Sequence, residues 1–230
     1  MPKTVDDKGI RFTPTDEAVE HLIIILHGYG ATAEDFASLA LFLFDNLEHT
    51  AVVCLNAPEV SENNPEGRQW FRVCEYIEEA IWKDVQAARG YVDRMIDEEL
   101  SRYGLENHDL VLAGFSQGAI VSLHNAIRRP SPCRGVMAFA GAMTKYETPQ
   151  GTGINKCPVL LVHGEDDDVL PSHYCQSTST LLEQADFDVE CHILKGLDHA
   201  IDLRGEQLAL SFCRRLNLGA PERPVSNKRK

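Results

Sequence analysis

Six short apolar runs, each closed by a polar or glycine-bearing stretch, constrain this chain most. They are HLIIILHG (21–28), AVVCLNAP (51–58), LVLAGF (110–115), GVMAFAG (135–141), PVLLVHG (158–164) and VECHILKG (189–196). Their apolar residues run almost unbroken instead of alternating, the pattern of strands covered on both faces. Helical patterns separate them. The clearest runs from about Tyr76 to Tyr103, where Ile77, Ile81, Val85, Ala88, Val92, Met95, Ile96 and Leu100 recur every three or four residues. Others span roughly 33–47, 117–129, 172–184 and 203–216. Such alternation predicts an α/β fold, a mostly parallel central sheet with helices on both faces. Stretches 59–75 and 143–157 read as irregular loops. With no repeat or linker to divide the chain, residues 1–218 are expected to form one domain, and 219–230 a flexible basic tail.

The bulk numbers exclude several classes. At 43% hydrophobic residues the chain has material for a substantial core. A net charge of −13 disfavours nucleic acid as a partner, because phosphates are repelled. No run approaches the ~20 apolar residues of a membrane span, so integral membrane association is not expected. The first residues lack the apolar core of a signal peptide. The seven cysteines, at 54, 74, 133, 157, 175, 191 and 213, are odd in number and form no CxxC site. They suit reduced, buried thiols in a cytoplasmic protein better than disulfides or a metal site. A homo-oligomer is compatible with all of this.

In parallel α/β sheets, ligands bind beyond the carboxyl ends of the strands. Here the strands run out into HGYG, NAPE, SQG, AGAM, HGEDDD and GLDH. One of these exits is chemically specific. Gly114-Phe115-Ser116-Gln117-Gly118 matches G-x-S-x-G between a strand and a helix. A nucleophile on so sharp a turn projects clear of the sheet, and the residues two before and two after must be small because strand and helix backbones crowd there. The following helix aims its positive end at the site.

A serine hydroxyl needs a base, and the base needs an orienting acid. In this architecture the chain order is Ser, acid, His. Of nine histidines, His199 alone lies in a loop after a late strand and before the last helix. The acid stays open among Glu165, Asp166, Asp167 and Asp168, with Asp198 and Asp202 as rivals. An oxyanion hole would draw one backbone N–H from Gln117, the residue after the nucleophile, and another from a glycine-rich loop after an earlier strand. LHGYG (26–30) fits, with Tyr29 N–H as candidate.

Taken together, LHGYGATAEDF, GRQWF (67–71), AGFSQGA, HGEDDDVLP and GLDHAID resemble the phospholipase/carboxylesterase family of α/β-hydrolases, which includes acyl-protein thioesterases; the likeness covers about 10 to 217. The resemblance implies an α/β-hydrolase fold without a separate cap domain. It implies a catalytic Ser116–Asp167–His199 triad, Asp167 being the D of a HGxxDxxVP-like segment, and oxyanion donors at Tyr29 and Gln117. Trp70 and Phe71 match an aromatic pair that the family places beside its cleft, although they read equally as a hydrophobic plug. Two departures stand out: RVCE follows that pair, and Ala119 replaces a second glycine after SQG. Trp70, Phe71 and Met143 suggest an apolar acyl site.

The expected function is hydrolysis of carboxylic esters or thioesters through an acyl-enzyme, with no metal or organic cofactor. The substrate would be a small-molecule or lipid acyl ester or thioester, or an acylated protein. A lactone or dienelactone hydrolase on the same fold is the alternative, followed by a catalytically silent ligand binder. Relatives of the former often carry cysteine where this chain has Ser116.

Overall fold

Ile23, Ile24 and Ile25 are consecutive and all buried, which requires cover on both faces of their strand. The computed structural model describes residues 3–15, 18–72, 78–144, 146–147 and 149–219. Among these, the strands are β1 (Lys3–Asp6), β2 (Gly9–Phe12), β3 (His21–Leu26), β4 (Thr50–Leu55), β5 (Glu59–Val60), β6 (Arg68–Gln69), β7 (Leu110–Phe115), β8 (Gly135–Phe139), β9 (Val159–Gly164) and β10 (Val189–Leu194). The α-helices are α1 (Ala37–Asn46), α2 (Glu78–Tyr103), α3 (Gln117–Ala126), α4 (His173–Gln184) and α5 (Leu203–Arg215).

One sheet orders its strands β1-β2-β4-β3-β7-β8-β9-β10. From β4 to β10 every pairing is parallel; β1 and β2 add an antiparallel edge. The alternation along β3 divides the core in two. Leu22, Ile24 and Leu26 face the layer of α2, α3 and α4, with Val85, Val92, Ile96, Leu123 and Leu182. Ile23 and Ile25 face α1 and α5, with Leu39, Leu43, Leu210 and Phe212. Truncating one such isoleucine to alanine costs about 2–5 kcal/mol, because the close-packed surroundings relax only in part. No separate cap domain stands over the strand ends among the described residues.

All six apolar runs form strands and the five helical patterns form helices. The start expected for α2 near Tyr76 and Ile77 lies outside the described residues, as do Cys74, the 73–75 part of RVCE and the tail from 220. The structure adds two hairpins. The β1–β2 hairpin is masked in the sequence by its charges, but its turn is encoded: Asp6 Oδ1 accepts from the N–H groups of Lys8 and Gly9, both at 3.0 Å. Gly9 sits at φ +147°, and a Cβ there would lie 2.0 Å from Cys54 O. Arg11, an apparent solvent residue in a strand, is buried against Glu99 of α2, its Nη2 donating to Oε1 at 2.6 Å. The second hairpin, β5–β6, lies in the stretch read as an irregular loop.

Candidate active site

Ser116 follows β7 and caps α3 with φ 52° and ψ −116°. This is left-handed backbone that a side-chain-bearing residue adopts only when its surroundings force it. The forcing is visible in the flanking glycines. A Cβ on Gly114 would lie 2.2 Å from Gly118 O, and one on Gly118 would lie 2.1 Å from Leu26 O. Ser116 N–H donates to Phe139 O at 2.9 Å, which anchors the turn to β8. Ala119 fits because residue 141 has no side chain: a Cβ there would lie 2.3 Å from the alanine methyl.

The HGYG loop leaves β3 beside this turn; a Cβ on Gly28 would sit 3.5 Å from Ser116 Cβ. The loop is braced by GRQWF, a role the sequence does not announce. Gly30 N–H donates to Arg68 O and Arg68 N–H to Ala31 O, both at 2.9 Å. A Cβ on Gly67 would lie 2.1 Å from Gly30 O, so only glycine allows that approach. Trp70 is 1% exposed, and its indole N–H donates to His27 O at 2.8 Å. The Gln117 side chain closes the brace: its Oε1 accepts from Trp70 N–H at 2.9 Å and its Nε2 donates to Phe71 O at 2.8 Å. Gln117 therefore ties the start of α3 to the loop beneath HGYG, and its own backbone N–H lies in the first turn, where a helix offers no acceptor. Trp70 stands as a buried post, and Phe71 is buried beside it.

The four adjacent acids separate by burial. Glu165, Asp166 and Asp168 are exposed, and Asp167 is buried. Asp167 Oδ1 accepts from Val169 N–H at 3.0 Å and Leu170 N–H at 2.8 Å. Its Oδ2 lies 2.7 Å from His199 Nδ1. A carboxylate only accepts, so Nδ1 carries the proton and Nε2 of the neutral ring is left with the lone pair. The His199 ring rests on Phe115, the residue before Ser116, with ring centroids 4.8 Å apart. Gly164 lets this happen: a Cβ there would lie 2.2 Å from Asp198 O, in the path of the loop that carries His199. Asp166 N–H donates to Leu197 O at 2.9 Å and stitches the two loops together. The rival Asp202 instead caps α5, accepting from Arg204 N–H at 3.0 Å and Gly205 N–H at 3.1 Å.

Two further histidines hold the site without entering it. His27 and His163 each end a strand in a His-Gly pair. His27 Nδ1 donates to Gly28 O at 2.7 Å, and its Nε2 accepts from Ala57 N–H at 3.0 Å. Burial pushes its pKa down to about 4. His163 Nε2 donates to Leu170 O at 2.6 Å and lies 3.1 Å from Asp167 Oδ2. Burial lowers its pKa as well. The recurrent His-Gly at the end of an apolar run was the available sequence signal for both.

An apolar cavity of about 240 Å³ lies among Ile120, Ala142, Met143, Val169, Leu170 and Tyr174. Ile120 is one helical turn from Ser116, and Val169 and Leu170 are the residues that bind Asp167. A second cavity, of about 300 Å³, touches Phe36, Phe115 and Ile201.

The Phospholipase/Carboxylesterase family profile matches residues 10–217. Esterase YpfH of Escherichia coli (strain K12) is 31% identical over 206 residues, 86% of this chain and 84% of that protein. Acyl-protein thioesterase 1 of Kluyveromyces lactis is 24% identical over 220 residues, 89% of this chain and 95% of that protein. Among solved structures, esterase PE8 superposes with a TM-score of 0.86 at 31% identity, covering 91% of this chain and 98% of that one. The Bacillus cereus carboxylesterase, at 17% identity and a TM-score of 0.72 over 90% of this chain and 92% of that one, shares the fold. The chain belongs to the phospholipase/carboxylesterase family of α/β-hydrolases and is a carboxylic-ester hydrolase.

Proposed function

We propose that this protein hydrolyses carboxylic esters or thioesters through a covalent acyl-enzyme on Ser116. The observation that carries the reading is the Asp167–His199 hydrogen bond of 2.7 Å, on an imidazole that packs 4.8 Å from the ring of Phe115, the residue before a serine held at φ 52°. Ser116 Oγ attacks the carbonyl carbon as His199 Nε2 takes its proton. Asp167 fixes the tautomer and stabilises the imidazolium. Tyr29 and Gln117 N–H groups bind the oxyanion, and the α3 dipole adds to them. As the tetrahedral intermediate collapses, the alcohol or thiol leaves with the proton from Nε2. Water then repeats the sequence on the acyl-serine and releases the acid. Every proton and leaving group is accounted for by these residues and water.

In this reading Trp70 acts through His27 and the HGYG loop as a positioning residue, and Met143 lines the acyl site. At about 240 Å³, that cavity falls below the about 300 Å³ at the low end of drug-sized pockets, so it favours short and medium acyl chains. The relatives named esterase and acyl-protein thioesterase support both oxyesters and thioesters as substrates. Residues 1–218 act as one domain, and the protein works in the cytoplasm, in keeping with the buried free thiols of Cys54, Cys133, Cys157 and Cys213.

Labelling with a fluorophosphonate probe tests the nucleophile. Wild type is expected to label and Ser116→Ala to stay unlabelled while melting normally; an unlabelled wild type would overturn the proposal. A panel of p-nitrophenyl esters and acyl thioesters of rising chain length tests the acyl site. Turnover should peak beyond acetate and fall for long chains. A flat or acetate-only profile removes the cavity from the reading.

A further inference from the structure

Two cysteines that are 16 residues apart meet outside the candidate site. Cys175 lies in the first turn of α4 and Cys191 in β10, the edge strand of the sheet. Their Sγ atoms are 3.6 Å apart. Cys175 is buried and Cys191 is exposed, whereas Cys54, Cys133, Cys157 and Cys213 are all buried. Burial pushes the thiols of Cys133 and Cys213 up to about 12. Cys191 moves the other way, down to about 7, chiefly because Cys175 donates a hydrogen bond to it. Burial opposes the shift, the Ser179 hydroxyl assists it and Glu183 opposes it. Cys175 correspondingly holds its proton more tightly.

We propose that Cys191 and Cys175 form a redox-active dithiol, with Cys191 the peroxide-sensitive thiol and Cys175 its resolving partner. The reading is independent of the hydrolytic mechanism. The exposed sulfur is the one that loses its proton and the one an oxidant reaches, and a thiolate is the reactive form. The Cys191 sulfur attacks one oxygen of hydrogen peroxide. The O–O bond breaks, and the departing hydroxide leaves as water with the thiol proton, giving Cys191 sulfenic acid. The Cys175 sulfur then attacks the Cys191 sulfur. The S–O bond breaks, an S–S bond forms, and the second hydroxide leaves as water with the Cys175 proton. Two thiols lose two electrons in total, and one peroxide becomes two waters. A separation of 3.6 Å closes to the about 2.0 Å of a disulfide by side-chain rotation on facing elements. The bond would join the helix that follows the Asp167 loop to the strand that leads to the His199 loop.

Peptide mapping tests this. Cleavage on the amino side of aspartate places the two cysteines in separate peptides, Asp168–Ala185 and Asp188–Leu197, and Cys74 in a third. The full-length protein is treated with hydrogen peroxide at a level that oxidises free cysteine, with dimedone present, then alkylated and digested without reductant. Wild type should give the two peptides joined, two hydrogens lighter than their sum. Cys175→Ala should give a dimedone adduct on Asp188–Leu197 and no joined peptide. Cys191→Ala should give neither. Intact thiols at both positions in the wild type, or a stable dimedone adduct on Cys191 with Cys175 present, overturns the proposal. The wild-type result decides the matter alone if a variant fails to fold.

Discussion

The two halves of the candidate site are built by different means. The half around β3 and β7 is made of backbone. Gly67, Gly114 and Gly118 each stand where a Cβ would come within 2.2 Å of a carbonyl oxygen, and the donors it offers are N–H groups. The half around β9 and β10 is made of side chains. Asp167 there gathers two backbone N–H groups and the rings of His163 and His199 around one carboxylate. Backbone crowding holds the proposed nucleophile and oxyanion donors rigidly. Side-chain hydrogen bonds fix a tautomer and still leave a ring able to move a proton.

The sharpest break of this comparison is at Asp167. Asp167→Asn keeps the shape but can donate where His199 Nδ1–H needs an acceptor, so the ring takes the wrong tautomer. We expect kcat on a short acyl ester to fall by about 10³–10⁴-fold. Asp166→Asn and Asp168→Asn, whose side chains are exposed, should stay within about threefold of wild type. Steady-state kinetics on the three variants decides. A comparable loss at position 166 or 168 would mean that burial does not select the acid.

The same contrast explains what the sequence discloses. Backbone crowding leaves a signature where glycine alone solves it, and GFSQG is therefore readable; the crowding at Gly67 of GRQWF appears only once that segment packs on Gly30. The acid is not readable in that way. Glu165, Asp166, Asp167 and Asp168 are chemically alike, and what separates them is how the chain turns after Gly164. Trp70 is ambiguous for a related reason: an aromatic residue in a loop can face a ligand or plug the floor, and the 2.8 Å bond from its indole to His27 O is a property of the assembled loop. The β1–β2 hairpin hides because Arg11 is charged and buried, and its partner Glu99 is 88 residues away.

On the backbone half, the test is Gly118→Ala. The new methyl would lie 2.1 Å from Leu26 O, and neither strand nor helix can retreat without moving Ser116. We expect a loss of about 4 kcal/mol, above the about 1–3 kcal/mol of ordinary overpacking because the obstacle is main chain. Urea unfolding measures it. A loss below about 1 kcal/mol would show that the turn is softer than the comparison requires.

Acid offers a third test, on the two buried histidines at the ends of β3. His21 and His27 are both pushed down to about 4, burial being the first cause in each. In the unfolded chain they titrate near 6.5. Between these values the unfolded state binds more protons, so stability is full above about pH 6.5 and drains away as pH falls toward 4. His27 contributes on the order of 3 kcal/mol across that window, and His21, where solvent screens the charge more, contributes less. Denaturant midpoints at pH 7 and pH 4.5 measure the loss. Removing His27, which bonds Gly28 O and accepts from Ala57 N–H, should flatten the limb, and an unchanged limb would assign the acid sensitivity elsewhere.

The smallest effect separates Asp167 from Asp202, a rival acid of the sequence, in role. Asp202 lies three residues from His199 in sequence, yet its carboxylate caps α5. Asp202→Ala removes the acceptor from two free N–H groups at the helix start and costs about 1 kcal/mol. For a domain of this size that lowers the melting temperature by about 2–4 °C. Asn can accept from the same N–H groups, so Asp202→Asn should recover most of the loss. Activity should stay near wild type in both, because a cap secures the helix behind the His199 loop without touching the imidazole. Asp167→Asn gives the opposite pattern, large in kcat. If Asp202→Ala instead cost activity on the scale of Asp167→Asn, the loop after β10 would depend on its cap to hold the base. The side-chain half of the site would then extend into α5.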